Sequence, residues 1–451
     1  MFKKVLIANR GEIAVRVIRA CKEMGISTVA VYSEADKDSM HVHLADESVC
    51  IGGPRASESY LNMFNILSAA LVTKAEAIHP GYGLLSENSK FVGMCKEVGI
   101  KFIGPSEISI ETMGNKQNAR TTMIAAKVPV VPGSIGVLTT VEEALECADK
   151  IGYPVMIKAA NGGGGRGIRR IFDKKDLPSS FENASSEAIA CFGDGSLYME
   201  KLVTGARHIE VQVLADSFGN TIHLGERDCS IQRKNQKIIE EAPGSTITPA
   251  LRKKIGETAV RAAKAAKYEN AGTIEFLMDN DNSFYFMEMN TRIQVEHPVT
   301  EMITGVDLIK QQLKVAAGLK LEISQKDIEI KGHSIECRIN AEDPANGFMP
   351  ACGTVEKLHV PGGLGVRFDS MVYQGYKIPP YYDSMVGKLI VHAEDRKSAI
   401  ERMNSALDEF VIKGVTTNIE FLRKIIHDKN YIKGDFNTSY IEKWLEKEAL
   451  K

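Results

Sequence analysis

Two stretches of the chain carry side chains whose types and spacing could do chemistry, and the first is the glycine-rich run 161–167. Backbone that lacks side chains can approach a phosphate closely and turn its N–H groups toward it. Lys158, just upstream, would add a cation beside such a loop, which is a common arrangement around nucleotide phosphates. A flexible surface loop and an ordinary edge-strand lysine are the alternative interpretations.

This glycine run matches neither of the two common nucleotide fingerprints. Gly162, Gly164 and Gly167 formally give G-x-G-x-x-G, but β-like residues flank the run on both sides, whereas the dinucleotide fingerprint opens a helix. A P-loop needs Lys and Ser or Thr after its last glycine, and Ile168 and Arg169 stand there instead. We therefore predict a hairpin flap, with its glycines available to a phosphate.

The second stretch is a predicted β-hairpin around the turn sequence 279–282. Pairing across this turn would place Glu275 and Glu288 on one sheet face, and Asn290 shares that face one strand period later. These hard oxygen donors suit Mg²⁺ shared with nucleotide phosphates. Solvated acids are the usual alternative, but the aromatic neighbours indicate a partly buried hairpin, where unpaired charge is costly.

The same alternation continues along the chain after Asn290, and we predict that the extended strand continues with it. Arg292 offers a guanidinium for an anion, Gln294 an amide for orientation, and Glu296 a carboxylate for proton abstraction. This order favours a small anionic substrate placed next to a γ-phosphate. A half-exposed edge strand would give the same pattern.

The elements that must position these residues fall into α/β and α+β regions. The N-terminal third alternates strands and helices, which predicts a parallel sheet with crossover helices, and Ser86 is a candidate N-cap for a helix to Val98. Residues 131–203 read as a separate α+β lobe that contains a capping box at Thr140 and Glu143. Thr248 and Pro249 are typical of the N-cap and first position of a helix reaching about residue 267.

Composition excludes several classes of protein. The 451 residues carry a formal net charge of −2, which leaves no basic excess for a polyanion. The apolar run at residues 5–8 is too short for a signal peptide or a membrane span, so a cytoplasmic protein is expected. The eight cysteines are scattered without a C-x-x-C pair, which favours reduced thiols.

Several motifs resemble biotin carboxylase, an ATP-grasp enzyme, over nearly the whole chain. The resemblance implies an ATP-grasp fold with an N-terminal parallel-sheet (pre-ATP-grasp) domain at 1–114, an ATP-grasp domain at 115–330 with a mobile lid lobe at 131–203, and a mixed C-terminal domain at 331–451. The motifs that carry it are residues 5–14, 79–83, 162–167, 226–230, 288–298 and 379–385.

The resemblance also implies roles for individual residues. It implies that ATP is bound by Lys116, Lys158, Gly163, Gly164, Gly165, Glu200, Lys201, Val203, His208 and Gln232, with Glu275, Glu288 and Asn290 as ligands of Mg²⁺ or Mn²⁺. It implies that hydrogencarbonate is bound by Lys237, Arg292, Gln294, Val295 and Glu296, and biotin by Tyr82, Gly83 and Arg338. Without the resemblance, a structural histidine would be the preferred interpretation of His208.

The implied reaction is ATP- and hydrogencarbonate-dependent carboxylation of biotin through carboxyphosphate. Glu296 would deprotonate hydrogencarbonate, Arg338 would stabilise the biotin enolate, and the lid would exclude water from the reactive intermediate. The chain contains no lysine flanked by methionines, so biotin is expected on a separate biotin carboxyl carrier protein. The expected assembly is acetyl-CoA carboxylase, with carboxyltransferase subunits and a role in fatty acid synthesis.

Three departures from the family pattern limit what can be carried over. Asn235 stands where many members have His, which leaves a ribose or phosphate contact there open. Val203 replaces a frequent Leu with little consequence. A homodimer is expected from Arg19 and Glu23, although Leu364 replaces a frequent Phe.

Other functions remain open from the sequence. The chain could serve a pyruvate or propionyl-CoA carboxylase, or act as another ATP-grasp ligase that forms an acyl phosphate. A catalytically silent nucleotide-binding scaffold is the alternative from a different class, and the presence of Arg292, Glu296 and Arg338 argues against it.

Overall fold

A computed structural model of the protein describes residues 1–134, 136–160 and 168–449. Contacts within the chain divide it into two compact units. The first contains Met1–Val128, Arg207–Phe276 and Glu288–Lys451, and the second contains Pro129–Ala206 and Leu277–Met287.

The first unit begins with a five-stranded sheet, and every pair of neighbouring strands in it is parallel. Its spatial order is β3-β2-β1-β4-β5, so the predicted parallel sheet with crossover helices is confirmed. The strands are β1 Lys4–Ile7, β2 Ser27–Tyr32, β3 Glu47–Cys50, β4 Ala77–His79 and β5 Lys101–Phe102. The helices are α1 Gly11–Glu23, α2 Met40–Leu44, α3 Met63–Val72, α4 Ser89–Glu97, α5 Glu107–Gly114 and α6 Lys116–Ala125.

Helix α4 begins later than the sequence predicts. Its N-cap is Asn88, whose side chain accepts a hydrogen bond from the Phe91 N–H. The predicted N-cap at Ser86 is therefore wrong, because residues 83–86 form a turn closed by the Ser86 N–H on the Gly83 carbonyl. An asparagine two positions on satisfies the first free N–H groups of the helix equally well.

The second unit contains a three-stranded antiparallel sheet in the order β7-β6-β8. Its strands are β6 Val155–Ala159, β7 Arg169–Ile171 and β8 Leu197–Lys201, and its helices are α7 Val141–Ile151 and α8 Leu177–Phe192. The capping box is confirmed, since Thr140 accepts from the Glu143 N–H and Glu143 accepts from the Thr140 N–H. Apolar residues of both helices and of the sheet form one core.

The glycine run connects two strands that pair antiparallel. Val155 of β6 lies opposite Ile171 of β7, and Ile157 lies opposite Arg169. The predicted strand-glycines-strand arrangement is therefore confirmed for the flanking segments. Residues 161–167 themselves lie outside the described part of the chain.

Most of the remaining chain is built on an eight-stranded sheet in the order β13-β12-β9-β10-β11-β14-β21-β19. The strands that follow β8 are β9 Arg207–Ala215, β10 Thr221–Arg233, β11 Gln236–Ala242, β12 Asn270–Met278, β13 Phe284–Asn290, β14 His333–Asn340, β15 Glu342–Asp343, β16 Met349–Pro350, β17 Gly353–Thr354, β18 Lys357–His359, β19 Val366–Ser370, β20 Lys377–Ile378, β21 Met385–Ala393 and β22 Val411–Lys413. The helices are α9 Pro249–Ala265, α10 His297–Thr304, α11 Leu308–Ala316, α12 Arg396–Glu409, α13 Ile419–Ile426, α14 Lys429–Lys433 and α15 Tyr440–Ala449.

Helix α9 and the β12-β13 hairpin follow the sequence closely. Thr248 caps α9 by accepting from the Leu251 N–H, and Pro249 is the first helical residue, as predicted. The hairpin turn is closed by a hydrogen bond from the Asp279 N–H to the Ser283 carbonyl. Proline lacks the N–H that a helix start leaves unpaired, and a polar turn between alternating strands favours a hairpin, so both features are locally encoded.

Two further findings bear on the class of protein. All eight cysteines are free thiols, in agreement with the absence of a disulfide pattern. Among the residues that the structure describes, no helix combines the length and the apolarity needed to cross a membrane.

Candidate active site

The central feature of the first unit is an ammonium group surrounded by three carboxylates. Lys237 of β11 places its Nζ 2.6 Å from Glu210 Oε2, 2.9 Å from Glu275 Oε1 and 2.6 Å from Glu296 Oε1. Burial disfavours the charged amine, but the three acids outweigh it and raise the pKa of Lys237 well above its usual range. A lysine on one strand therefore joins acids from three other segments of the chain.

Glu296 is fully buried between two cations. Lys237 bonds one of its oxygens, and Arg338 of β14 donates to Oε2 at 3.0 Å. Burial opposes ionisation, yet Lys237 and Arg338 overcome it and lower the pKa of Glu296 well below its usual range. Arg338 also donates to Glu240 at 2.6 Å, and burial raises the pKa of that second acid to about 7. Glu296 is thus held as an anion, with one oxygen facing each cation.

Glu210 is held in place by a fully buried arginine that sequence reasoning did not select as a site residue. Arg227 of β10 donates through Nε to Glu210 and through its terminal nitrogens to Gln212 at 2.8 Å, Thr300 at 3.0 Å and Thr273 at 3.1 Å. The guanidinium therefore uses all three of its nitrogens to donate to buried acceptors. One signal could have found Glu210: the buried strand β9 carries polar residues at alternate positions, namely His208, Glu210 and Gln212.

Glu275 accepts hydrogen bonds from every side. Its Oε1 accepts from Asn290 Nδ2 and Gln294 Nε2, each at 2.9 Å, in addition to Lys237. Its Oε2 lies 2.9 Å from His208 Nε2. Burial opposes ionisation of this carboxyl, but His208 and Lys237 lower its pKa far below its usual range. In return, Glu275 overcomes the effect of burial on His208 and raises the pKa of the imidazole.

His208 and Gln232, both predicted to bind ATP, contact each other at this site. Gln232 Nε2 lies 2.8 Å from His208 Nδ1 and 2.8 Å from the Cys229 carbonyl. The second ring nitrogen of His208 is the one that faces Glu275. The histidine is therefore oriented by a neighbour on each side.

Glu288, the second predicted metal ligand, differs from Glu275 in its environment. Its side chain is exposed, whereas Glu275 is buried, so the burial argument applies to only one of the two acids. Partial desolvation and the nearby Glu275 carboxylate raise the pKa of Glu288, and Lys116 at the start of α6 opposes the shift. The effect of Glu275 on Glu288 supports the predicted proximity of the two carboxylates, and Asn290 lies beside Glu275 as predicted.

The predicted extension of the strand beyond Asn290 is wrong. Strand β13 ends at Asn290, residues 291–296 form bends and a turn, and α10 begins at His297. The Thr291 N–H and the Val295 carbonyl of this segment bond the Glu87 and Lys388 side chains and not a neighbouring strand. The alternation of polar and apolar residues therefore does not correspond to the two faces of a strand in this segment.

The side chains of that loop nevertheless meet at the site. Arg292 donates through Nη1 to Gln294 Oε1 at 2.8 Å and through Nη2 to Asn290 Oδ1 at 3.0 Å. Its Nε donates to Glu87 Oε2 at 2.9 Å, and the Thr291 N–H donates to the other oxygen of Glu87. Glu87, which sequence reasoning missed, comes from the loop before α4 and orients the guanidinium.

Tyr82 and Gly83 lie in the loop after β4, at the carboxyl end of the parallel sheet. Asn9, in the loop after the neighbouring strand β1, donates to the Pro80 and Tyr82 carbonyls at 2.6 and 2.8 Å. The Tyr82 hydroxyl donates to Glu12. Gly83 has φ +65°, in the left-handed region that glycine tolerates best. Loops at this edge of a parallel sheet commonly carry ligand contacts.

Asn235, the departure from the family pattern, lies in a tight turn between β10 and β11. Lys234 and Asn235 have φ values of +49° and +64°, and Arg233 pairs with Gln236 across them. A two-residue hairpin turn with both central residues at positive φ favours asparagine. The turn conformation therefore provides a structural reason for asparagine at this position.

The remaining predicted nucleotide ligands lie in the second unit. Lys158 of β6 donates to Glu200 of β8, and Lys201 donates to the Gly152 and Tyr153 carbonyls at 2.9 and 2.8 Å. Val203 is half-buried just beyond β8. Gly163, Gly164 and Gly165 lie outside the described residues. The structure thus brings Lys158 and Glu200 together within this unit.

The candidate site residues of the first unit place cation-binding oxygens, a guanidinium and an ionised carboxylate close together. Carboxylate and amide oxygens at Glu275, Glu288 and Asn290 are suited to a hard divalent cation, and Arg292 beside them is suited to an anion. Glu296 lies on the other side of Lys237 as an ionised proton acceptor. The site can therefore polarise a phosphoryl group and deprotonate a small anion next to it.

Comparison with known proteins agrees with this arrangement. Three family models match the chain: the biotin carboxylase N-terminal domain at residues 1–110, the carbamoyl-phosphate synthase L chain ATP-binding domain at 115–324, and the biotin carboxylase C-terminal domain at 336–443. The fold and the site define an ATP-grasp ligase.

Individual relatives are similar to this chain over nearly its full length. Biotin carboxylase 1 of Bacillus subtilis is 55% identical over 443 residues, covering 98% of each chain. The biotin carboxylase domain of Hydrogenobacter thermophilus 2-oxoglutarate carboxylase, solved as a dimer with MgADP, ADP and bicarbonate, is 54% identical over 99% of this chain and 98% of that one, with a TM-score of 0.91. Campylobacter jejuni biotin carboxylase, in a β,γ-ATP complex, is 52% identical over 98% of this chain and 99% of that one, with a TM-score of 0.92. The chain belongs to the biotin carboxylase family.

Proposed function

We propose that this chain carboxylates biotin in an ATP- and hydrogencarbonate-dependent reaction that passes through carboxyphosphate. The observation that carries the proposal is the buried, ionised Glu296 between Lys237 and Arg338. An acid held in this way is available to accept a proton from a neighbouring anion.

The first step joins hydrogencarbonate to the γ-phosphate. Arg292, Gln294, Val295 and Lys237 bind hydrogencarbonate, and Glu296 takes its proton. A hydrogencarbonate oxygen attacks the γ-phosphorus, the bond to the β-phosphate oxygen breaks, and ADP and carboxyphosphate form. Because hydrogencarbonate would share the Lys237 ammonium, it weakens the contact that keeps the pKa of Glu296 low, and so makes Glu296 a stronger base.

The second step transfers the carboxyl group to biotin. Carboxyphosphate breaks down to CO₂ and phosphate, and the phosphate removes the ureido proton of biotin. Arg338 stabilises the resulting enolate, whose ureido nitrogen attacks the CO₂ carbon and forms the N–C bond of carboxybiotin. Tyr82 and Gly83 contact the ring. Arg338 reaches Glu296 directly, which supports a shared site for both half-steps.

The donor set of this chain fits a divalent cation. Glu275 and Glu288 lie close enough for one to raise the pKa of the other, and a cation between them would relieve that repulsion. We propose that Glu275, Glu288 and Asn290 hold Mg²⁺, with Mn²⁺ as a possible substitute. The ion would neutralise the charge of the nucleotide phosphates. Among the described residues, Glu275 is paired with His208 and Lys237, whereas Glu288 forms no ion pair.

The nucleotide contacts proposed for this chain are those that the family resemblance implies. We propose that Lys158 and the glycines of 161–167 bind phosphates and that Glu200, Lys201 and Val203 lie at the adenine, with His208, Gln232 and Lys116 completing the set. We propose that lobe 131–203 is a lid that excludes water, since carboxyphosphate hydrolyses readily. The antiparallel strands on either side of the glycine run support a hairpin flap.

The partner proteins follow from the proposed chemistry. We propose that biotin arrives on a biotin carboxyl carrier protein, that the chain works with carboxyltransferase subunits as a homodimer, and that acetyl-CoA carboxylase in the cytoplasm is the assembly. The similar Hydrogenobacter thermophilus domain belongs to a 2-oxoglutarate carboxylase, which supports a pyruvate or propionyl-CoA carboxylase as the alternative assembly.

The test is hydrogencarbonate-dependent release of ADP with and without free biotin. Stimulation by biotin, together with transfer of labelled carbon from hydrogencarbonate to biotin, is the expected result. A rate of ADP release that is the same with and without biotin would instead favour another ATP-grasp ligase. No ADP release at all, with ATP still bound, would favour the catalytically silent scaffold.

A further inference from the structure

Lys388 is a fully buried charged residue that the proposed reaction does not use. It lies on β21 directly opposite Arg338 of β14. Its Nζ donates to the Val295 carbonyl at 2.7 Å and lies 3.1 Å from Glu12 Oε1. Burying an ammonium is costly unless its partners compensate, and the nearby Glu336 and Asp369 carboxyl groups add to the compensation from these two contacts.

Glu12, at the start of α1, connects Lys388 to the predicted biotin side of the site. Its carboxylate accepts a hydrogen bond from the Tyr82 hydroxyl. Burial raises the pKa of the Glu12 carboxyl, and Lys388 opposes that shift. The Oε2 atom of Glu12 has no hydrogen-bond partner among the described residues. The charge of Lys388 and the hydroxyl of Tyr82 are therefore the main compensation for this buried acid.

The Val295 carbonyl connects Lys388 to the other side of the site. Val295 directly precedes Glu296 in the loop 291–296, which has neither strand nor helix pairing to hold it. The loop depends on side-chain contacts instead, such as Glu87 at the Thr291 N–H and Lys388 at the Val295 carbonyl. A change at Lys388 is thus transmitted to the backbone next to the proposed base.

We propose that Lys388 and Glu12 form a positioning pair that couples the biotin contact at Tyr82 to the hydrogencarbonate contacts at Val295 and Glu296. This inference rests on the proposed function. The continuous path runs from the Tyr82 hydroxyl through Glu12 and Lys388 to the Val295 carbonyl. Loss of one end therefore changes binding at the other end, which is the definition of coupling between two sites.

A double-mutant cycle tests this path. The variants are Tyr82→Phe, Lys388→Met and the pair of them, and the measured quantity is the KM for hydrogencarbonate in ADP release without biotin. We expect Tyr82→Phe to raise this KM about threefold or more in the unsubstituted chain and to leave it unchanged in the Lys388→Met background. A purely structural lysine would not remove the effect of a distant hydroxyl.

The controls separate the possible failures. Lys413→Met removes an exposed lysine of β22, and Tyr82→Phe should keep its full effect in that background. Equal effects of Tyr82→Phe with and without Lys388 would overturn the proposal. If Lys388→Met does not fold, Glu12→Gln replaces it in the same cycle with the same expected and contrary results. Absence of hydrogencarbonate-dependent ADP release in the unsubstituted chain would instead refute the proposed function.

Discussion

The Nζ of Lys237 lies 2.6 Å from Glu296 Oε1, and this contact unites strand β11 with the turn before α10. Glu296 is fully buried and Lys237 is partly buried, and each shifts the pKa of the other toward its charged form. The pair therefore keeps the proposed base ionised until a substrate anion competes for the ammonium. The predictions below test this site and the framework that holds it.

Replacing the proposed base should separate binding from chemistry. We expect Glu296→Gln to lower the rate of carboxylation about 10²- to 10⁴-fold, the range typical of general base catalysis. Binding of a non-hydrolysable ATP analogue, measured by calorimetry, should stay within about threefold, because Glu296 contacts Lys237 and Arg338 and not the nucleotide ligands. Glu442→Gln on the exposed face of α15 is the matched control. Unchanged turnover would refute the assignment of Glu296.

The exposed acid Glu288 should set the dependence on divalent cation. We expect Glu288→Gln to raise the Mg²⁺ concentration needed for half-maximal ADP release by about tenfold or more. Chelation of the cation should stop the reaction of the unsubstituted chain. Asp281→Asn, an exposed acid in the turn of the same hairpin, is the control and should leave the Mg²⁺ dependence as it was. An unaltered Mg²⁺ curve for Glu288→Gln would exclude Glu288 as a ligand.

Arg227 should matter for stability as well as for the site. Lysine cannot reproduce the fork of donors that contacts Glu210, Gln212, Thr273 and Thr300, so Arg227→Lys leaves buried acceptors unpaired. We expect the free energy of unfolding to fall by about 2 kcal/mol or more in denaturant titrations. Arg170→Lys, at an exposed position, should change it little. If Arg227→Lys lowered the free energy of unfolding as little as the control does, the geometry of the guanidinium would be unimportant for stability.

The buried His41 predicts a loss of stability in mild acid. Burial is the main cause that lowers its pKa to about 4, with Asp36 opposing the shift and Arg10 adding to it. The unfolded chain binds a proton at His41 below about pH 6.5, whereas the folded chain stays neutral there, so stability falls as pH decreases from about 6.5 toward 4.

The corresponding variant is His41→Phe, compared with the unsubstituted chain by unfolding at pH 7 and pH 5. We expect the unsubstituted chain to lose about 2 kcal/mol more than the variant over this interval. His43→Phe, which replaces an exposed histidine on the same helix, is the control and should keep the pH dependence of the unsubstituted chain. Equal pH dependence of the chain and His41→Phe would contradict the argument.

The elements with strong local signals were predictable. Thr140 with Glu143 and Thr248 with Pro249 mark helix starts through contacts between residues a few positions apart. The turn at 279–282 likewise brings its own two strands together. The N-cap at Ser86 was misplaced because Asn88 can play the same role, and only the turn at residues 83–86 decides between them.

The candidate site was predictable in its residues and less so in its backbone. Arg292, Gln294 and Glu296 do converge near Glu275, but through a bent loop and not through the predicted strand. Alternation constrains side-chain direction only where neighbouring strands hold the chain extended. In the loop, Glu87 and Lys388 impose the direction, and both are distant in sequence.

Residue types and the order of neighbouring residues were therefore sufficient to predict the parallel sheet and the hairpin. They were also sufficient to identify the oxygen donors and cations of the candidate site. The pairing of those charges required the folded chain. Lys237 meets Glu210, Glu275 and Glu296 across sequence separations of 27, 38 and 59 residues. Such contacts shift pKa values only when burial removes water from around all the partners at once, and burial is a property of the assembled sheet.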